Sequence, residues 1–318
     1  MKKGILTGLV ALGLSVGGAA WADYPMDDEI TFVIPYSPGG GFDTIVRQFA
    51  PALGEAMGAT VVPENISGAG GARGGQAVHR ADPDGYTIGI YNIPGLTVNE
   101  VTGRDQGFKL DEVTWIANLA VERYALAVKA DSGINSVEDL CAIGTPKFSD
   151  TGATSTASVT TRISMAIIGC EIVDVTGYAG SNDSMIAVIS GEVDATIKPI
   201  TSLARYLEGT GSGDLKLILT LTEEEAVPGV ASATDIGHPE IAQFTLNRVI
   251  GAPPGTPADV VAALEAGFAA AIQSESVTSW AEGAGVELDF MGAAETTALM
   301  SSLATFYQEY KDLVGTSE

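Results

Sequence analysis

The chain has 318 residues, with 16 Lys and Arg against 40 Asp and Glu, and a formal net charge of −24. A surface this acidic repels nucleic acid and anionic lipid, so we expect neither as a partner. With only two histidines and two cysteines, no Cys/His metal cluster can be built, and we expect neither a metal nor another cofactor.

The first residues have the pattern of a secretory leader. Two lysines precede an apolar run from Ile5 to Ala20, and small residues at Ala20 and Ala22 match what a signal peptidase recognises. The run is shorter than a membrane-spanning helix needs, which favours a leader over a retained anchor. We therefore predict a signal peptide over residues 1–22, cleavage after Ala22 and a mature chain in the periplasm.

After the leader, strand and helix patterns alternate. Strand patterns cover residues 30–35, 60–62 and 86–91, and helix patterns cover 44–57 and 72–80. This βαβαβ order implies a parallel sheet whose loops and helix N-termini open at one edge.

A second series of the same kind begins near Arg123. Its predicted strands and helices lie at 123–128, 136–140, 142–144, 156–169, 171–175, 183–190, 195–197, 215–221 and 245–252, and two helices follow the proline-rich segment 253–257. A mature chain of roughly 300 residues is too long for one ordinary core and fits two lobes. We place the crossings near Arg123 and Asn247, so residues 23–123 and 248–318 form the first lobe and residues 124–247 the second.

Two glycine-rich loops follow the first two strands. Gly39, Gly40 and Gly41 bring bare backbone to the sheet edge, and the helix after them supplies unpaired N–H groups, which together make an anion site without a cationic side chain. A turn that binds no ligand is the alternative. Asp43 is well placed to cap that helix. The loop at 64–71 repeats the pattern, but it lacks the third glycine of a dinucleotide-binding fingerprint.

Cys141 and Cys170 are the only cysteines. An even count in an exported chain predicts one disulfide, which stabilises a loop of about 30 residues by roughly 3–4 kcal/mol. Two buried free thiols are the alternative.

Six segments resemble, in order and spacing, the signatures of the substrate-binding proteins of tripartite tricarboxylate transporters, also called Bug receptors. They are PYSPGGGFD at 35–43, VPENISGAGG at 62–71, ADPDGYT at 81–87, GYAG at 177–180, GEVDA at 191–195 and GAPPGTP at 251–257. The resemblance covers essentially the whole mature chain.

The resemblance implies an α/β periplasmic binding protein of type II-like architecture. Each of its two lobes would be a mainly parallel sheet flanked by helices, with a ligand cleft between the lobes. It implies a monomer without enzymatic activity that delivers a small organic carboxylate to one large and one small integral membrane subunit. A sensory receptor for the same ligand is an alternative. A periplasmic hydrolase is a weaker one, because His79 and His238 lie in unsuitable places for a catalytic base.

The resemblance also carries ligand-binding roles onto individual positions. They are Ser37, Gly39, Gly40, Phe42 and Asp43 in the first glycine loop, Gly68, Ala69 and Gly70 in the second, Asn92 at the end of the third strand, Ser155, Thr156 and Ala157 at a helix start, and Tyr178 and Gly180.

Lys198 departs from the family pattern, which commonly has an acid at this position. If its loop faces the cleft, the cation would pair with a second carboxylate at the far end of the ligand, which favours a dicarboxylate. A surface salt bridge with Asp194 or Glu192 is the alternative.

Overall fold

The computed structural model describes residues 24–25, 29–153, 155–178 and 180–314. The predicted signal peptide, residues 1–22, lies outside these ranges. The strands are β1 (Glu29–Ile34), β2 (Thr60–Asn65), β3 (Thr87–Ile93), β4 (Thr114–Lys129), β5 (Lys147–Asp150), β6 (Val173–Thr176), β7 (Ala195–Pro199), β8 (Leu215–Thr220), β9 (Thr245–Ala252) and β10 (Glu287–Met291). The helices are α1 (Gly41–Met57), α2 (Ala72–His79), α3 (Gly95–Val101), α4 (Val137–Cys141), α5 (Thr156–Ile168), α6 (Ser181–Ser190), α7 (Ile200–Leu203), α8 (Ala258–Ala271), α9 (Glu275–Ala284), α10 (Ala293–Glu309) and α11 (Lys311–Val314).

The strands form two sheets that share β4. The first has the order β2-β1-β3-β9-β4, with β10 also on β4, and the second has the order β4-β7-β5-β6, with β8 also on β4. Strands β1, β2 and β3 are parallel, as are β5, β6 and β7, whereas β4 and β9 run antiparallel to their neighbours. The two-sheet α/β architecture agrees with the expected fold. Each sheet is mixed, because it combines parallel strands with a crossing strand, β4 or β9, that runs antiparallel to them.

Successive side chains of β1 point to opposite faces of the first sheet, and both faces are covered. Ile30, Phe32 and Ile34 pack with α1 and α8 on one face, while Val33 points into the core on the other. Helix α1 buries Ile45, Val46, Phe49 and Leu53 along one side, which is the apolar spacing that its sequence predicts.

The long strand β4 carries the chain from one sheet to the other. Residues up to Arg123 pair with β9, and residues from Tyr124 onward pair with β7 and β8. Helix α10 returns to β4 from the C-terminal side and also contacts α3. The two sheets are therefore joined by continuous backbone as well as by packed side chains.

Two details of the sequence prediction are wrong. Residues 142–144 form the turn after α4 rather than a strand, and the strand lies at β5 instead. The described C-terminal part holds four helices rather than two: β10 follows α8 and α9, and α10 and α11 come after it. The predicted disulfide is present: Cys141 and Cys170 are joined, with their Cα atoms 5.5 Å apart.

Among the described residues, no single helix is long and apolar enough to cross a membrane. Helices α8 and α9 meet the criterion only when taken together, and they are bent by 64° at the break between them.

Candidate functional site

A cleft of ≈ 540 Å³ lies where the two sheets meet. It is bounded by the loop after β1, the ends of β3 and β7, the N-termini of α1, α5 and α6, and the crossing strands β4 and β9. Ligands of open α/β sheets bind at such strand ends, because the following loops and helix N-termini point into one crevice. A second, more open depression of ≈ 600 Å³ lies on the outer side of α1 and β2, away from that edge.

The structure brings ten of the fifteen predicted ligand-binding residues to this cleft. They are Ser37, Gly39, Gly40, Phe42, Asn92, Ser155, Thr156, Ala157, Gly180 and Lys198. Five do not line it, namely Asp43, Gly68, Ala69, Gly70 and Tyr178. The Tyr178 hydroxyl is directed to the carboxylate of Glu192 instead, at 2.8 Å.

Asp43 shapes the first glycine loop from behind rather than facing the cleft. Its buried carboxylate accepts hydrogen bonds from the Gly39 backbone N–H, from Asn65 Nδ2 and from Arg47 Nε, each at 2.9 Å. Burial alone would raise the pKa of Asp43, but these hydrogen bonds outweigh it and hold the pKa below its usual range. The carboxylate is therefore ionised and fixes the loop in which Gly39 adopts a φ of 86°.

The second glycine loop, residues 64–71, lies behind the residues that line the cleft and contacts two of them. The carbonyl oxygen of Gly70 accepts hydrogen bonds from Tyr36 Oη and from Asn92 Nδ2, both at 3.1 Å. Since both donors line the cleft, this loop orients cleft side chains without lining the cleft itself.

Three helix N-termini point into the cleft. Gly40, Ser155 and Gly180 are the N-cap residues of α1, α5 and α6. Ser155 caps α5 by accepting a hydrogen bond from the Ser158 N–H at 3.2 Å, whereas no side chain caps α1 or α6 among the described residues. The first N–H groups of a helix have no intrahelical partner and carry its positive partial charge. The cleft thus presents three sets of anion-binding donors.

Lys198 lines the cleft, but its charge is already matched. The buried Nζ lies 2.5 Å from Asp150 Oδ1 and 3.0 Å from the carbonyl oxygen of Ser149. The surface salt bridge with Asp194 or Glu192 is therefore wrong. Lys198, which stands where the family commonly has an acid, instead forms a buried ion pair with Asp150 beneath the cleft.

Arg248 is the cleft residue that the sequence prediction missed most clearly. Its Nε donates to Glu122 Oε1 at 2.8 Å, and its guanidinium carbon lies 4.2 Å from the centre of the Phe42 ring. Arg248 is the only charged residue of β9, and a single charge inside a buried strand is the signal that could have indicated it. The other polar lining residues that were missed are Tyr36, Tyr124, Thr151, Ser181, Asn182, Asp183, Ser202 and Arg205, and the apolar ones are Pro38, Gly41, Met185, Pro199 and Leu246.

Within the part of the chain that the structure describes, no three His, Cys, Asp or Glu side chains are grouped so that they could hold a metal ion.

Comparison with known proteins agrees with this geometry. The model of the TctC family, described as the tripartite tricarboxylate transporter family receptor, matches residues 45–305. A UPF0065 protein of a Pseudomonas species is 29% identical over 288 residues, which cover 87% of this chain and 83% of that protein.

Solved structures share the fold. MatC from Rhodopseudomonas palustris, solved with bound malate, is 20% identical with a TM-score of 0.78, and the match covers 92% of this chain and 100% of MatC. A second R. palustris protein, solved with adipate, is 24% identical with a TM-score of 0.78 and coverages of 92% and 99%. The family match extends over most of the chain, and we conclude that this protein belongs to the tripartite tricarboxylate transporter receptor family.

Proposed function

We propose that this protein captures a small organic dicarboxylate in the periplasm and presents it to the large and small membrane subunits of a tripartite transporter. It performs no reaction on the acid, and it acts as a monomer. The observation that carries this proposal is the convergence of the α1, α5 and α6 N-termini on one cleft.

A negatively charged chain can hold an anion only by local interactions. The net charge of −24 repels a carboxylate at long range, although salt weakens this repulsion beyond about 10 Å. The cleft is lined by three helix N-termini, whose N–H donors stabilise negative charge at close range. Binding therefore depends on close contact, which agrees with a receptor that encloses its ligand.

Two carboxylates fit a cleft with donors on opposite walls. The α1 N-terminus belongs to the part of the chain before β4, and the α5 and α6 N-termini belong to the part after it. Malate and adipate, the acids bound by the two R. palustris proteins, each carry two carboxylates. A dicarboxylate would engage both walls, and ligand length would decide which acids bind.

We propose that residues 23–123 and 248–318 move as one lobe and residues 124–247 as the other. The exchange of strand partners between Arg123 and Tyr124 on β4 supports this division. Closure of two such lobes around the acid would create the shape that the membrane subunits recognise.

A thermal-shift screen over organic acids, followed by calorimetry with malate and adipate, tests the function. We expect at least one dicarboxylate to raise the unfolding temperature and to bind at one site per chain without being consumed. If no organic acid stabilised the protein, or if a bound acid were turned over, the proposal would be wrong.

A matched pair of variants on α5 links binding to the cleft. Ala157→Phe places a ring in the cleft at the helix start, whereas Ala166→Phe adds the same ring on an exposed position of the same helix. We expect the first variant to lose binding and the second to keep it.

A further inference from the structure

The guanidinium of Arg248 lies buried in the floor of the cleft. Its Nε and Nη2 both donate to Glu122 Oε1, and Phe42 covers one face of the group. The remaining nitrogen, Nη1, is buried and has no hydrogen-bond partner among the described residues. A buried donor without an acceptor is costly, so this nitrogen requires an acceptor that the protein does not provide.

The same guanidinium lies against the N-terminus of α1. A Cβ atom built on Gly41, the first residue of that helix, would stand 3.0 Å from Arg248 Nη2. Glycine at this position therefore allows the arginine to approach the helix end closely. The guanidinium that carries Nη1 therefore lies beside the first turn of α1, whose N–H groups have no intrahelical partner.

Glu122 holds the arginine and also limits its charge. While Oε1 accepts both bonds from Arg248, Oε2 accepts a hydrogen bond from Thr201 Oγ1 at 2.7 Å. The carboxylate thus fixes the guanidinium from the side away from Nη1. An anion at Nη1 is attracted by Arg248 and repelled by Glu122. The carboxylate therefore reduces the net attraction of the pair for an anion.

We propose that Arg248 is a ligand-binding residue, whose Nη1 donates to a carboxylate of the bound acid beside the N-terminus of α1. This inference rests on the proposed function and adds a cationic side chain to the backbone donors at the helix N-termini. It assigns Glu122 as the residue that positions Arg248 and weakens its attraction for anions. The ligand class is an ionised carboxylic acid, and the neutral amide of the same acid binds poorly.

The decisive comparison is between Glu122→Gln and the double variant Glu122→Gln/Arg248→Met. Both lack the charge at position 122, so neither leaves an acid without its partner, and they differ only at position 248. Calorimetry with adipate should show that E122Q binds at least as tightly as the wild type, because repulsion by Glu122 is gone. The double variant should bind about 10- to 100-fold more weakly than E122Q, which is the expected loss of a charge-assisted hydrogen bond.

Adipamide, the neutral diamide of adipate, gives a readout that a structural role would not change. We expect the preference for adipate over adipamide to increase in E122Q and to shrink in the double variant. Arg123→Met is the matched control, because Arg123 follows Glu122 on the same strand, contacts Glu287 at 3.7 Å and does not line the cleft. That variant should bind adipate as the wild type does.

The two proposals fail in different ways. If the wild-type protein binds no acid in the screen, the proposed function is wrong and this inference falls with it. If the wild type binds and E122Q and the double variant have equal affinities, only the role of Arg248 is wrong. Should the double variant not fold, Glu122→Gln/Arg248→Gln provides the same test, because it also removes the cation but keeps a polar side chain beside position 122. Equal affinities of that variant and E122Q would also overturn the role of Arg248.

Discussion

Thr156 donates a hydrogen bond to the side-chain oxygen of Asn92 at 2.9 Å and thereby joins the two walls of the cleft. Asn92 ends β3 in the first sheet, and Thr156 begins α5 beside the second. The Thr156 oxygen also accepts the backbone N–H of Gly95 at 3.2 Å. One hydroxyl at the start of α5 thus connects that wall of the cleft to the end of β3 and the start of α3 on the other wall.

Replacing Thr156 by valine removes this hydroxyl without changing the size of the side chain. Asn92 Oδ1 and the Gly95 N–H would then lose a buried partner, and we expect the free energy of unfolding to fall by about 1–3 kcal/mol. Urea denaturation with an unchanged m-value measures this. Thr156→Ser is the control and should retain most of the stability. Equal stability of the two variants would contradict the role given to the hydroxyl.

Replacing Lys198 by methionine leaves Asp150 buried without its partner. Both side chains are buried, so we expect a loss of about 3–5 kcal/mol in the free energy of unfolding. The double variant Lys198→Met/Asp150→Asn should recover most of this loss and should bind adipate with wild-type affinity. Lys129→Met breaks an exposed pair with Asp131 and should cost at most about 1 kcal/mol. A double variant that folds but does not bind would instead make Lys198 a ligand contact.

Asp174 should make stability depend on pH below neutrality. Burial raises the pKa of Asp174 to about 6, and the neighbouring Asp150 adds to this, against the opposing effects of Ser158, Arg162 and Lys198. Since the folded protein binds this proton more tightly than the unfolded chain does, its stabilising contribution is present in acid and is lost as the pH rises to about 6. The stability of Asp174→Asn relative to the wild type should therefore increase from about pH 4 to about pH 6 and then level off. A difference that is flat across this range would show that the carboxyl titrates normally.

Two glycines should respond in opposite directions to replacement by alanine. A Cβ on Gly74 in α2 would lie 2.9 Å from the Cα of Pro35, at the start of the first glycine loop. We expect Gly74→Ala to destabilise the protein by about 1–3 kcal/mol. Gly283 in α9 is exposed, with no atom within 4 Å of such a Cβ, so Gly283→Ala should stabilise it by about 0.5–1 kcal/mol. Denaturant midpoints of the two variants test both signs.

Local patterns were sufficient for most of the fold and for part of the cleft. The first glycine loop was predictable because the conformation of Gly39 and the donors of a helix N-terminus depend on neighbouring residues. The strand β5 was not, because Ser149 and Asp150 resemble turn residues in sequence. They are buried in a strand only because Lys198 and Ser184, which are distant in sequence, supply their hydrogen bonds.

The same reason explains why the sequence left the partner of Lys198 open and did not indicate Arg248. The contact between Arg248 and Glu122 spans 126 positions of the chain, and the contact between Lys198 and Asp150 spans 48. Nothing in the residues around Lys198 indicates that an acid lies beside it. The sequence could place a lysine near the cleft, but only the tertiary structure shows that its charge is matched.

The position of β9 sets the order in which the molecule can be completed. This strand lies between β3 and β4 and pairs with both, so a chain that emerges from its N-terminus cannot close the first sheet before residue 252 is available. The second sheet is drawn from one continuous stretch and is free to form earlier. A folding chain must therefore keep the hydrogen-bonding edge of β3 unpaired until the chain as far as residue 252 is available, and we expect aggregation of the incomplete protein to begin at that exposed edge.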